Sequence, residues 1–384
     1  MVSPLPISAA RIVVIMPNWL GDGVMATPFL RALRGIYPAA HIAAIARPLV
    51  RPVLTGLPTI SEIANVDAKD AKRVVAYLRA TPFDLGIVLP NSFRSAAALF
   101  RGRVKRRLGY ARDWRSLLLT DRVRPIPRSS EQQAQDQRKA AAIREIRGGK
   151  AHPPIGSRYQ PTPTIDYYLA LAKYLGAASP DRQMELAITD AECTEAEAAH
   201  SAFRIPHSPF ITLVPGANFG SSKCWPPERF AEVADHLVET YVGGGGLMVV
   251  IASSPAELPI VDAILAASRH PDRMVALARC NGGKGLSLGA LKELVRRSRL
   301  MICNDTGPRH FAAALGVPVV TLFGPTDPLW AETFVERERQ VRIEVPCGPC
   351  QLKRCPIDHR CMKGLSSERV LAAVAELTGR GGGA

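Results

Sequence analysis

No stretch of this 384-residue chain approaches the roughly 18 uninterrupted apolar residues that a membrane span requires. The 312–323 run comes nearest, and Gly316 and Pro318 break it. A secretory signal is missing too: Ile12 to Met16 is a short apolar core with no small-residue cleavage site after it. The expectation is a cytoplasmic protein. Aromatic residues make up 6% of the chain, too few to interleave with basic residues as base-stacking platforms, and no nucleic-acid-binding motif is present. Two phosphate devices are also absent. There is no Asp-x-Asp pair to hold a divalent ion beside a diphosphate, and no nucleoside-triphosphate P-loop.

What remains is an ordinary globular composition, 47% hydrophobic and 22% charged, with room for two domains. Short Val- and Ile-rich segments alternate with helical patterns throughout, which favours parallel α/β layers. The 30 glycines and 32 prolines imply many loops between short elements.

Three segments carry the chemistry. In the first, strand-like Met301–Cys303 leads through Asn304-Asp305-Thr306-Gly307-Pro308 into a helical stretch containing His310 and closed by Gly316, then into a second strand, Val319–Phe323. Proline suits a first helical turn, and the turn sets Asp305, Thr306 and backbone N–H groups at the carboxyl edge of a parallel sheet, where phosphate is attracted. Asp305 or Thr306 acting only as a helix cap is the competing reading. In the second, strand Arg11–Met16 precedes Pro17-Asn18-Trp19-Leu20-Gly21-Asp22-Gly23, and a helical pattern follows from Val24. The flanking glycines leave the Asp22 carboxylate uncrowded, as a base or as a cap. In the third, strand Phe210–Val214 runs into Pro215-Gly216-Ala217-Asn218-Phe219-Gly220-Ser221-Ser222-Lys223 and then an amphipathic helix bearing Phe230, Val233, Ala234 and Leu237.

These segments, with LPNSFRSA (89–96) and CGPCQLKRCPIDHRCM (347–362), resemble the lipopolysaccharide heptosyltransferases of glycosyltransferase family 9. The resemblance spans nearly the whole chain in the family's order. It implies a GT-B fold of two doubly wound Rossmann-like domains facing a central cleft, an ADP-heptose donor, an inverting transfer and the lipid A-core of lipopolysaccharide as acceptor, with a second heptose added to the first. Asp22 matches the family's Gly-Asp motif and is expected to be the general base. The donor would be held by Gly216, Ser222, Lys223, Asp305, Thr306, Gly307, His310, Thr326 and Asp327, and Lys223 would also offset the charge of departing ADP. Acceptor contacts are expected from Asn18, Asn91, Ser92 and Arg94. No cofactor and no catalytic metal are assigned. Pro308-Arg309 stands where many members have Leu-Met, and Phe311 where a smaller aliphatic residue is usual. A transferase of the same family with another acceptor, or a non-catalytic nucleotide-sugar binder, are the alternatives. A carboxylate like Asp22 is superfluous in a pure binder.

The net charge of +15 is uneven. Ten basic residues (Arg101, Arg103, Lys105, Arg106, Arg107, Arg112, Arg115, Arg122, Arg124 and Arg128) face two acids, Asp113 and Asp121, within 101–128. The expectation is that this stretch, through Arg103, Arg106 and Arg107, serves a phosphorylated acceptor at the inner face of the cytoplasmic membrane, with peripheral association and no nucleic-acid partner. Segment 129–164 reads as an insertion, a surface helix over Gln132–Ile146 followed by a flexible loop. Domains are expected at 1–180 and 181–365, followed by a helix in 366–384 that crosses back to the first domain and a flexible tail. Cys347, Cys350, Cys355 and Cys361, spaced C-x2-C-x4-C-x5-C around His359, leave a structural metal or plain reduced thiols open.

Overall fold

The computed structural model describes residues 8–112, 114–146, 159–202, 209–241 and 246–379. The chain forms two compact units: Met1–Arg128, Arg158–Thr189 and Leu329–Phe334 in the first, and Ser129–Ser157, Asp190–Pro328 and Val335–Ala384 in the second.

The first unit is built on a six-stranded sheet of β1 (Arg11–Ile15), β2 (His41–Ile45), β3 (Glu62–Ile63), β4 (Leu85–Val88), β5 (Arg106–Tyr110) and β6 (Asp121–Val123). Its spatial order is β3-β2-β1-β4-β5-β6, with every pair parallel. The second unit repeats the plan with β7 (Phe210–Val214), β8 (Met248–Ile251), β9 (Met274–Ala276), β10 (Met301–Asn304), β11 (Val319–Phe323) and β12 (Glu338–Arg342). Its order is β12-β11-β10-β7-β8-β9, again all parallel. Both sheets therefore have the 3-2-1-4-5-6 order of a doubly wound fold, reversing direction between β1 and β4 and between β7 and β10. Strands covered on both faces read as continuous apolar runs, and β7 and β11 are buried at all five positions.

The boundary between units falls at Thr189/Asp190 and not at residue 180. Helix Asp190–Ala202 packs on helix Leu288–Arg297. The inserted helix is present as Ser130–Ile146, and it belongs to the second unit. Its Ile143 is 1% exposed and lies beside Pro325 and Cys347 of that unit, which anchors an otherwise polar helix. The loop expected after it, at 147–158, and the tail at 380–384 lie outside the described residues. The final helix, Ser367–Thr378, does not follow the expected course back to the amino-terminal domain. Val370, Ala373 and Val374 enter the second unit's own core with Phe230, Val320 and Leu322, so its apolar face is covered by helix Pro227–Thr240 and by β11 and β12. Among the described residues no helix is long and apolar enough to cross a membrane.

Candidate active site

The switch point of the first unit lies between the loops after β1 and β4. After β1 the chain enters helix Leu20–Met25 earlier than the sequence suggests, so Asp22 sits inside the first turn while Trp19 occupies the N-cap without a side-chain bond. A carboxylate there is favoured by the exposed N–H groups of the turn, and it remains half-buried. Gly23 permits the close approach of the next element, since a Cβ would fall 2.7 Å from Val50 Cγ1.

Asp22 opens on a cavity of about 360 Å3 that Asn18, Trp19, Asn91, Ser92, Arg112 and Tyr167 help to line. Its far wall comes from later sequence: Thr162, Thr164, Tyr168 and Trp330. Thr164 Oγ1 donates to the Trp330 carbonyl at 2.7 Å, which ties segment 329–334 to this unit. Tyr168 is buried, and desolvation, reinforced by the charge of Asp22, pushes its hydroxyl well above the ordinary tyrosine value, so it stays protonated.

The loop after β4 is pinned from beneath. Arg115, fully buried, donates from Nε to Tyr110 O at 2.8 Å, from Nη1 to Pro90 O at 2.5 Å and from Nη2 to Asn91 Oδ1 at 2.9 Å. Tyr167 donates to the same Asn91 oxygen at 2.9 Å and stacks on Tyr110 with centroids 3.7 Å apart. With its oxygen doubly used, Asn91 has its amide N–H groups left for a ligand. Ser92 caps helix Phe93–Arg101 by accepting from Ser95 N, and Arg94 is exposed in that first turn.

The structure does not bring Arg103, Arg106 and Arg107 to this cavity. Arg106 and Arg107 open β5 and Arg103 precedes it, at the amino edge of the sheet, whereas Asp22 lies at the carboxyl edge. Arg106 pairs with Asp121 on neighbouring β6, and Arg107 donates to the carbonyls of Leu118 and Val104 at 2.7 and 2.8 Å. Burial alone would raise the Asp121 carboxyl, but Arg106 and Thr120 outweigh it and hold the group below its usual range. Arg106 thus fastens β5 to β6, and Arg107 holds the segments that lead into the two strands. The basic run supplies Arg112 and Arg115 to the site instead, one in the cavity wall and one beneath it.

In the second unit the switch point gathers Lys223, Asp305 and Thr326. Lys223 Nζ donates to Asp305 Oδ2 at 2.5 Å and to the Asp305 carbonyl at 3.0 Å, and Thr326 Oγ1 donates to Oδ2 at 2.7 Å. Burial pushes the Asp305 carboxyl up, but Lys223 and then Arg309 pull it below its ordinary value, so it is ionised. Arg309 is fully buried, with Nη1 3.6 Å from Asp305 Oδ1 and Nε 2.5 Å from Glu338 Oε1. The four charges sum to zero, and the Asp305 Oδ2 oxygen is engaged by Lys223 and Thr326.

His310 is likewise withdrawn. It is 3% exposed, and burial, with Arg309 beside it, pushes its pKa down to about 3, so it offers no cation to a phosphate. Thr306 and Gly307 form the turn ahead of helix Arg309–Ala314, which has six residues and no side-chain cap. Gly216 lies against the Glu257 carboxylate. Ser222 is buried, bonding through Oγ to Leu352 O at 2.5 Å, and so supports its loop from within. Thr326 and Asp327 line a second cavity, of about 340 Å3, with Gln135 and Lys139 from the inserted helix, Arg342 at the end of β12 and Glu344 just beyond it.

The glycosyltransferase family 9 (heptosyltransferase) profile matches residues 156–360, more than half of the chain. The chain belongs to glycosyltransferase family 9. It is similar to lipopolysaccharide heptosyltransferase 2 of Escherichia coli strain K12, 28% identical over 344 residues that cover 87% of this chain and 88% of that one. Among solved structures, E. coli ADP-heptose lps heptosyltransferase II superposes with a TM-score of 0.72 at 25% identity, over 96% of this chain and 99% of that one. A glycosyl transferase of family 9 from Veillonella parvula shares the fold with a TM-score of 0.74 at 22% identity, over 98% and 99%. This member of the family is thus a heptosyl-transferring glycosyltransferase with an α/β fold of two parallel six-stranded sheets.

Sequence reasoning missed Tyr167, Tyr168, Thr162, Thr164 and Trp330 on the cavity wall, and Glu257 beside Gly216. Only Glu257 carried a local signal: Ser254-Pro-Ala-Glu257 is a capping box, with Ser254 N donating to Glu257 Oε2 at 2.8 Å, and it marks a helix start after β8.

Proposed function

We propose that this family 9 transferase moves heptose from ADP-heptose onto the first heptose of the lipopolysaccharide inner core, inverting the anomeric centre. The observation that carries the reading is Asp22, a carboxylate in the first turn of a helix at a sheet switch point, facing a cavity with aromatic walls and hydrogen-bonding groups. In this reading Asp22 takes the proton from the acceptor hydroxyl as its oxygen attacks the anomeric carbon opposite ADP. Asn18, Asn91, Ser92 and Arg112 orient the acceptor sugar.

The nucleotide is assigned to the second unit, with the loops at 216–223 and 305–307 around the diphosphate and the cavity beside Thr326 and Asp327 for the nucleoside. Lys223 meets the charge that accumulates on departing ADP, and Asp305 is the positioning residue that holds it there. Departure is proposed to proceed without a metal, in a chain that has no Asp-x-Asp pair.

The acceptor is lipid-linked, and we place the protein at the cytoplasmic face of the inner membrane as a peripheral partner. Trp114, after β5, and Ile126, after β6, are 86% and 62% exposed beyond the carboxyl ends of their strands, and Leu117, in the connection that leads to β6, is 84% exposed. Exposed Arg124 adjoins them, and each such cation near an anionic surface contributes about 1 kcal/mol.

Asp22→Asn tests the base. Turnover should fall by about 10²–10⁴ while ADP-heptose affinity stays at the wild-type value. Wild-type turnover in the Asn variant would place the base elsewhere.

A further inference from the structure

The neighbours of Asn91 fix which way its amide faces. Arg115 is fully buried and a guanidinium only donates, so the Asn91 atom that meets Nη2 at 2.9 Å is the amide oxygen. The second neighbour agrees. Tyr167 accepts a side-chain hydrogen bond from Arg112, which leaves its own proton for the same Asn91 oxygen, 2.9 Å away. Burial raises that phenol above its ordinary value, with Arg112 pulling against it, so the proton is there to donate.

The contacts close into a ring. Arg115 Nε donates to Tyr110 O, Tyr110 Oη donates to Tyr167 O at 2.7 Å, and the two tyrosine rings stack within 8° of parallel. Both Tyr167 and Arg115 then end on Asn91. Turning the amide over would set its N–H groups against two donors, an expensive loss at a buried site. Two carbonyl bonds, to Tyr110 and Pro90, would suffice to tie the turn at Arg115–Leu118 to the loop after β4. The third bond goes instead to a side chain that lines the Asp22 cavity.

We propose that Arg115 is a positioning residue for the transfer: acting through Asn91 from behind the cavity, it makes that amide a donor only and so selects an acceptor with an oxygen to receive its N–H groups. This rests on the acceptor role given to the cavity above. Asp22 and Asn91 then divide the recognition. The carboxylate receives the proton of the attacking hydroxyl. The amide takes a lone pair from a different oxygen of the same sugar, since an N–H on the attacking oxygen would hold back the electrons that form the new bond. The fitting substrate is a polyol whose reacting hydroxyl has a second oxygen close by.

The test is a double-mutant cycle read in steady-state constants on the full-length chain, with ADP-heptose and a lipid A-core acceptor carrying one heptose. Arg115→Met should raise the acceptor KM about tenfold, the worth of roughly one hydrogen bond, with kcat and the KM for ADP-heptose moving far less. Asn91→Leu should do the same, and adding Arg115→Met to it should raise the acceptor KM no further. Asn91→Asp keeps an oxygen for Arg115 and Tyr167 but replaces the N–H groups by a second acceptor, so the melting temperature should hold while the acceptor KM rises. If Arg115→Met does not fold, Arg115→Lys takes its place in the cycle. A wild-type acceptor KM in the folded Arg115 variant, or full additivity in the cycle, would overturn the positioning role. A wild-type acceptor KM in Asn91→Asp would overturn the donor-only amide. A cycle that is non-additive in the KM for ADP-heptose, with the acceptor KM unmoved, would keep the link between Arg115 and Asn91 and overturn the acceptor reading of the cavity.

Discussion

Replacing Glu338 with alanine would leave the Arg309 guanidinium in the second unit's interior without its main counter-charge. Arg309 has no exposed surface, Nε lies 2.5 Å from Glu338 Oε1, and Nη1 and Nη2 have no hydrogen-bond partner. Breaking a buried pair by removing one member costs about 3–5 kcal/mol. Asp305, 3.6 Å from Nη1, retains some attraction; two unit charges at that distance interact by about 4–5 kcal/mol at an effective dielectric of about 20. Because Asp305 is already shared with Lys223, the loss should fall near 3 kcal/mol and not vanish. Arg309→Met combined with Glu338→Leu removes both charges at similar volume and should cost about 1 kcal/mol or less, or stabilise the protein. Urea unfolding followed by the fluorescence of Trp225, 1% exposed in this unit's core, measures the effect once Trp19, Trp114 and Trp330 are replaced by phenylalanine. A loss below about 1 kcal/mol for Glu338→Ala, or a double variant as damaged as the sum of the singles, would refute the reasoning.

Lys223→Ala should weaken ADP binding by about 10–100-fold, the worth of one charge-assisted hydrogen bond, and slow transfer as well; unchanged affinity by calorimetry would remove Lys223 from the diphosphate. Arg106→Ser and Arg107→Ser should lower the melting temperature and leave the acceptor KM alone, whereas Arg112→Ser should raise that KM. Steady-state kinetics with the opposite pattern would return the acceptor to the amino edge of the first sheet.

The elements nearest the chemistry were the most legible. Strands β1, β7, β10 and β11 are buried on both faces, so their apolar runs announce themselves, and each is followed by a short loop of small and polar residues into a helix. Strand order then brings the Asp22 and Asn91 loops to one switch point and the Lys223 and Asp305 loops to the other. What local pattern could not carry is pairing at a distance. Arg115 reads as one of a basic run and Arg309 as a departure from the family's pattern, yet each is buried among partners that the sequence does not place beside it, such as Pro90 O and Glu338. Asp305 reads as one of the residues that hold the donor, and only the fold shows Lys223 and Thr326 on its carboxylate. The final helix and the inserted helix each have an apolar anchor, Val370 with Val374 and Ile143, and neither sequence says which unit will cover it. Trp330 reaches the cavity of the first unit from within the sequence of the second for the same reason.

The most direct test of the central claim is product mass. Purified protein is incubated with ADP-heptose and a series of truncated lipid A-core acceptors carrying no heptose, one heptose or two. The account predicts the mass gain of one heptosyl group on the acceptor with one heptose, inverted at the new linkage and lost in Asp22→Asn. Transfer only to the heptose-free acceptor, or no transfer to any of the three, would contradict it.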